Sequence, residues 1–110
     1  MTDRDLAKAL NLTVFHEGES REVCTGYCGD LLSWVMGRAP VESAWFTVMN
    51  NNNVAAVAVL REMACVILTQ GVEPDGMLLA RMKSEDISLY GSAEDAYTLA
   101  VKTGTLLAEV

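Results

Sequence analysis

The chain is poor in positive charge. Its 110 residues carry eight Lys and Arg against fifteen Asp and Glu, a formal net charge of −7. Nucleic acids and anionic membrane surfaces are both bound through a basic footprint, so this balance argues against either as a partner. Long apolar runs are also missing, and none approaches the roughly 18 residues of a membrane span. The first ten residues hold Asp3 and Asp5 and no apolar stretch, so they do not read as a secretory signal. There are three cysteines and one histidine. An odd cysteine count cannot pair completely within the chain, and the expected address is a reducing cytoplasm. Two prolines leave no room for a linker, and residues 1–110 read as one domain. Motifs of catalysis are scarce too: there is no phosphate-binding loop with its lysine, no G-x-G-x-x-G, and no nucleophile elbow.

What is present is a globular composition, 51% hydrophobic and 21% charged, arranged in repeated units of an apolar run, a polar turn and an amphipathic stretch. Ala44 to Met49, Ala64 to Thr69 and Ile87 to Tyr90 read as strands. They are continuous rather than alternating, as strands covered on both faces are. Leu12 to Phe15 and the short Arg21 to Val23 flank a turn at Gly18 and read as a hairpin or edge pair. The helices are marked by their ends. Thr2 and Asp5 form a capping-box pair for a helix closing near Leu10 and Asn11. Asp30 is placed to cap a helix through Leu31, Leu32, Val35 and Met36, with Gly37 just past its end. Asn52 or Asn53 is placed to cap Val54 to Met63. Pro74 suits the first position of a helix through Met77, Leu78, Arg81 and Met82. Ser92 and Asp95 make a second capping-box pair before Ala96, with Gly104 as the stop. The fold class is therefore a small layered α/β domain, a parallel or mixed sheet flanked by helices.

In such a sheet the segments after the main strands meet at one edge, where ligands of open α/β sheets bind. Here those segments are Thr25 to Asp30, Asn50 to Asn53, Gln70 to Asp75 and Gly91 to Asp95. None contains a Lys or Arg, and three place acids at helix starts, namely Asp30, then Glu73 and Asp75, then Glu94 and Asp95. Such acids satisfy the helix ends that would otherwise attract an anion. The neutral, amide-rich stretch from Asn50 to Asn53 is the exception. If the edge binds a ligand, Gly26, Tyr27 and Gly29 are the candidates for close backbone approach, with Tyr27 as a stacking surface and Asn51 and Asn53 as hydrogen-bond partners. Cys24 and Cys28 form a CxxxC pair with no second pair, and Cys65 sits in an apolar strand, so no metal or cluster is expected. No cofactor is implied and no catalytic residue is assigned. Trp34 and Trp45 are too large for both to hide in so small a core, and one of them is expected at an interface.

The stretch from Gly26 through Cys28, Gly29, Asp30 and Leu32 to Trp34 and Met36 resembles the signature turn and helix of the DRTGG domain family. The order that follows is similar as well: AWFTVM, an Asn-containing loop, NVAAVAVLREMACVILTQG, the Gly71 to Asp75 turn and the strand ending at Tyr90. The likeness runs over roughly residues 2 to 104 and fits the stand-alone, single-domain branch. The literal pentapeptide is absent, its place held by Val23 to Tyr27, which keeps only the pair Thr25 and Gly26. The resemblance implies a fold related to the N-terminal domain of the kinase/phosphorylase that acts on the phosphocarrier HPr. It also implies a non-catalytic regulatory or protein-interaction role, accessory to hydrogenase or signalling systems of anaerobes. The partners expected are a second copy of the chain in a homodimer, another protein, or a small nucleotide-type ligand.

Overall fold

The computed structural model, which describes residues 1–109, has five helices and five strands, alternating from the second strand onward. They run α1 (Asp3–Ala9), β1 (Thr13–His16), β2 (Thr25–Cys28), α2 (Leu32–Arg38), β3 (Ser43–Thr47), α3 (Asn52–Leu60), β4 (Cys65–Leu68), α4 (Gly76–Glu85), β5 (Ser88–Gly91) and α5 (Ala96–Ala108). The sheet order is β1-β5-β4-β3-β2. Strands β2 to β5 are mutually parallel and β1 adds to β5 in the antiparallel sense, so the sheet is mixed. The layered α/β class expected from the chain is what forms.

Register divides the residues cleanly between two faces, because side chains alternate along a strand. Tyr27, Trp45, Val66 and Leu89 stand in one row across the sheet, and Cys28, Phe46, Ile67 and Tyr90 in the next. The first row packs under α2, α3 and α4 through Val35, Val54, Ala58, Leu78 and Met82. The second packs under α1 and α5 through Leu6, Leu10 and Leu99. Double coverage explains why every residue of β3, β4 and β5 is buried and why those strands lack alternation.

Several local expectations are corrected. Thr25 to Cys28 is not loop but edge strand β2, paired residue for residue with Ser43 to Phe46. Two glycines in six residues hide its strand character, since glycine weakens strand propensity. Arg21 to Val23 does not pair with β1. It lies against the N-terminus, through a bridge between Thr2 and Glu22 and bonds from Asp3 N–H to Arg21 O and from Val23 N–H to Met1 O. The turn at Gly18 is instead tied to β5, its N–H donating to Ser88 Oγ at 2.9 Å.

The capping box of Thr2 and Asp5 forms in full. Asp30 does not cap α2, whose N-cap is Leu31 without a side-chain bond. Asn51, rather than Asn52 or Asn53, caps α3. Asp75 caps α4, so Pro74 lies outside the helix. Asp95 caps α5 through Thr98 N–H, while Ser92 turns to Glu94 N–H. Neither Gly37 nor Gly104 stops its helix. An interior glycine weakens a helix by about 1 kcal/mol, and packing beyond each outweighs that: Ala39 is buried past Gly37, and Leu106 and Leu107 pack past Gly104.

Candidate functional site

Because β2 to β5 run parallel, their C-terminal ends open on one edge, and the segments that follow meet there. Their polar groups bond chiefly to one another. Asp30 Oδ1 accepts from Thr47 Oγ1 at 2.8 Å and from Val48 N–H at 2.9 Å, stapling the turn after β2 to the end of β3. Asn50 Nδ2 donates to Glu73 O at 2.8 Å, and Asp75 N–H donates to Asn50 O. Gln70 N–H reaches Glu94 O and Gly71 N–H reaches Ser92 O, both at 2.8 Å. The loops are thereby laced in series. The three crossovers α2, α3 and α4 all lie on one face, so neighbouring loops do not diverge to opposite faces and leave the crevice that doubly wound sheets offer a ligand.

The candidate ligand residues divide between the two faces and this edge. Tyr27 is half-buried among the α2–α4 core residues. Gly29 lies beside it, where a Cβ would sit 3.0 Å from Tyr27 Cε2, so the glycine makes room for that ring. Gly29 O also accepts from Trp45 Nε1 at 2.9 Å. Gly26 is on the other face, where a Cβ would sit 3.2 Å from Phe46 Cε2. Asn51 Oδ1 accepts from Asn53 N–H at 2.9 Å in capping α3, and Asn53 itself is exposed. The structure thus brings Tyr27 and Gly29 together, joins Asn51 to Asn53, and sets Gly26 apart. Sequence reading missed the staple made by Asp30, because its partner Thr47 lies 17 positions away at the end of β3.

The two exposed cysteines, Cys24 and Cys28, lie along an extended edge segment, so their Cα atoms are roughly 13 Å apart, too far for a shared ion or a disulfide. Cys24 Sγ donates to Glu42 Oε2 at 3.3 Å. That bond, with burial adding to it, raises its pKa above the ordinary thiol value. Burial, then the Asp30 charge, raises Cys28 in the same direction. Buried Cys65 is raised further by desolvation. None of the three is an activated thiolate. His16 Nε2 lies 3.6 Å from Asp86 Oδ1 at the start of the Gly18 turn. Among the described residues no group of three or more His, Cys, Asp or Glu side chains is placed to hold a metal ion. No helix among them is long and apolar enough to cross a membrane.

No protein-family model matches the chain, and no curated protein matches it in sequence. Among solved structures it is similar to the CBS and DRTGG domains of the regulatory region of Clostridium perfringens pyrophosphatase, crystallised with the activator diadenosine tetraphosphate. The two superpose with a TM-score of 0.70 at 14% identity, over 91% of this chain and 44% of that one. This chain thus spans less than half the length of that neighbour. At such identity the likeness is one of architecture, and the layered α/β fold of this chain is DRTGG-like.

Proposed function

We propose that this chain is a non-catalytic regulatory module that acts as a homodimer in the cytoplasm, accessory to a hydrogenase or signalling system as its DRTGG-like sequence order implies. The observation that carries the reading is the fold shared, across 91% of the chain, with the regulatory region of another protein. Surface composition supports the homodimer. At the start of α2 the N-cap residue Leu31 and the helical Trp34 are both exposed, 57% and 53% accessible. The Arg38 guanidinium lies 4.0 Å from the Trp34 ring centroid. Large apolar side chains beside a stacked arginine are the composition of an interface centre. A magnesium-dependent phosphoryl transfer or hydrolysis that disappears in Asp30→Asn or Asp75→Asn protein would overturn the non-catalytic reading.

A second reading, that the module senses a small nucleotide-type ligand at the strand-end edge through Gly26, Tyr27, Gly29, Asn51 and Asn53, is favoured by the nucleotide activator bound to the neighbour's regulatory region. Thermal shift with ATP, AMP and diadenosine tetraphosphate separates the two. A ligand present at 100 times its Kd stabilises by about 2.7 kcal/mol, and the sensing reading requires that rise from at least one of the three. An unchanged midpoint with all of them leaves the protein-interaction reading alone.

A further inference from the structure

The two edges of the sheet are guarded differently. Strands β1 and β2 end the sheet order, and among the described residues no strand lies beyond either. At β1 the register is broken by an irregularity between Val14 and His16, one of the devices that spoil an edge as a template for another strand. At β2 four residues pair with β3 without interruption. From Val23 to Gly29 there is no proline and no charged side chain, and Gly26 and Cys28 are exposed. The side of the ladder that each residue faces follows from its neighbours. Phe46 O accepts from Gly29 N–H at 3.2 Å, whereas Thr47 O, one residue on, accepts from Thr69 N–H at 3.0 Å. Successive residues of a strand turn their N–H and C=O groups to opposite sides. Tyr27 and Gly29 therefore face β3, and Gly26 and Cys28 direct theirs away from the sheet.

We infer that this edge pairs with the same edge of a second copy, antiparallel and centred on Tyr27, to join two sheets into one of ten strands. The inference rests on the homodimer reading and names where the two copies meet. The spacing of the free groups selects both partner and register. With Tyr27 opposite Tyr27, Gly26 of each copy stands opposite Cys28 of the other, and all four outward N–H groups meet outward C=O groups. Side chains agree with that register. Gly26 and Cys28 lie on the same face of the strand, so each Cys28 side chain meets a residue that has none, and the two Tyr27 rings form a cross-strand aromatic pair. A net charge of −7 does not oppose the contact locally, since the strand itself is neutral. The helix over this strand, α5, turns Ala100, Thr103, Gly104 and Leu107 to it. Gly104 is exposed, and a Cβ there would meet nothing within 4 Å. That leaves space for the second copy's α5 when its strand stands about 4.8 Å away. Exposed Leu31 and Trp34 lie just past the end of the strand, so the apolar surface of α2 adjoins this edge.

The test is amide hydrogen exchange on the ¹⁵N-labelled chain, at concentrations where light scattering finds monomer and dimer. Gly26 and Cys28 N–H should exchange at least tenfold more slowly in the dimer, and Thr13 to His16 should not change. Tyr27→Cys, made together with Cys24→Ser and Cys28→Ser, should form an intermolecular disulfide through position 27 on oxidation with diamide. Directly opposed residues of a non-hydrogen-bonded pair have Cα atoms about 4.5 Å apart, inside the disulfide range of about 4.4–6.8 Å. Cys28→Pro removes an outward N–H and leaves the β3 ladder intact, as proline on an edge strand can, and should raise the dimer dissociation constant at least tenfold. Exchange is read on the parent chain, so the decision does not depend on that variant's folding. A dimer in which Gly26 and Cys28 exchange as in the monomer and position 27 does not cross-link overturns this inference and leaves the homodimer reading standing. Oxidised parent protein linked between Cys24 and Cys28 of two copies has a different register and overturns it too. A chain that stays monomeric at every concentration overturns both readings.

Discussion

The Tyr90 hydroxyl donates to Asp3 Oδ2 across 2.7 Å, joining β5 to α1 over 87 positions of sequence. The other carboxylate oxygen accepts from Arg21 N–H at 2.8 Å, so both oxygens of a side chain with no solvent exposure are paired. Tyr90→Phe keeps the ring and strands one of those oxygens. The expected loss is about 1–3 kcal/mol, read by urea denaturation with the slope m unchanged. The same contact predicts an alkaline limit. Burial, against an opposing bond from Ser88 and with help from the Asp3 carboxylate, pushes the Tyr90 phenol well above the ordinary tyrosine value. A pKa raised on folding contributes stability that is complete below the unfolded value, near pH 10, and is lost as pH climbs towards the folded one. Stability should therefore fall above about pH 10, and the fall should be shallower in Tyr90→Phe. An identical slope in the variant would remove Tyr90 from the account. Buried Cys65 is shifted in the same sense, so some decline starts earlier, above the ordinary thiol pKa of about 8.5.

One substitution should have opposite signs at two glycines. At Gly18 a Cβ would sit 2.4 Å from Asp86 O and 2.9 Å from the Ile87 carbonyl carbon. Those are backbone atoms, held by bonds from Gly18 N–H to Ser88 Oγ and from Glu19 N–H to Asp86 O, and they cannot yield cheaply. Gly18→Ala is expected to destabilise by about 1–3 kcal/mol or more. At Gly104 the same methyl meets open space in a helix interior, and Gly104→Ala should stabilise by about 0.5–1 kcal/mol. Urea midpoints measured side by side decide the matter, and two shifts of the same sign would contradict it.

These contrasts show what the chain discloses in advance and what it withholds. Ala64 to Thr69 was legible because six consecutive apolar or β-branched residues have no other home than a doubly covered strand. Asp75 and Asp95 were readable as acids at helix starts for similar local reasons. Strand β2 was not, since Thr25 and Gly26, with Gly29 close behind, look like a turn until Ser43 to Phe46 supplies the partner that makes Thr25 to Cys28 a strand. Gly18 likewise reads as any turn glycine, and only the approach of Asp86, 68 positions later, makes it obligatory. Asp30 offered a local cap and took a non-local bond to Thr47, an outcome decided by where β3 ends.

Thiol chemistry should follow the environments rather than the spacing. At pH 7.5 the native protein should alkylate with iodoacetamide at Cys24 and Cys28 and not at buried Cys65, and both sites should react more slowly than free cysteine, because both pKa values are raised. Glu42→Gln removes the charge that Cys24 Sγ bonds to and should speed Cys24 while leaving Cys28 unchanged. Peptide mass spectrometry over a time course resolves the two sites. Equal acceleration at both, or modification of Cys65 in the folded protein, would refute the assignment.

The two tryptophans give the sharpest check on assembly. Trp45 is fully buried, its Nε1 bonded to Gly29 O, whereas Trp34 projects from α2 beside Leu31. A homodimer through that face should show a mass near twice 11.9 kDa by light scattering at micromolar concentration, and iodide should quench Trp34 less as the protein is concentrated. The net charge of −7 opposes association only weakly at physiological salt, where screening acts within about 8 Å. Truncating a tryptophan at an interface centre removes about 2–4 kcal/mol of binding, so Trp34→Ala should raise the dimer dissociation constant by at least tenfold. Fold integrity is monitored separately through Trp45, whose emission in Trp34→Ala should remain that of a buried indole. A wild-type mass that stays near 11.9 kDa on concentration, with Trp34 still open to iodide, would end the homodimer reading. The same result would leave Leu31 and Trp34 as a surface for a different protein.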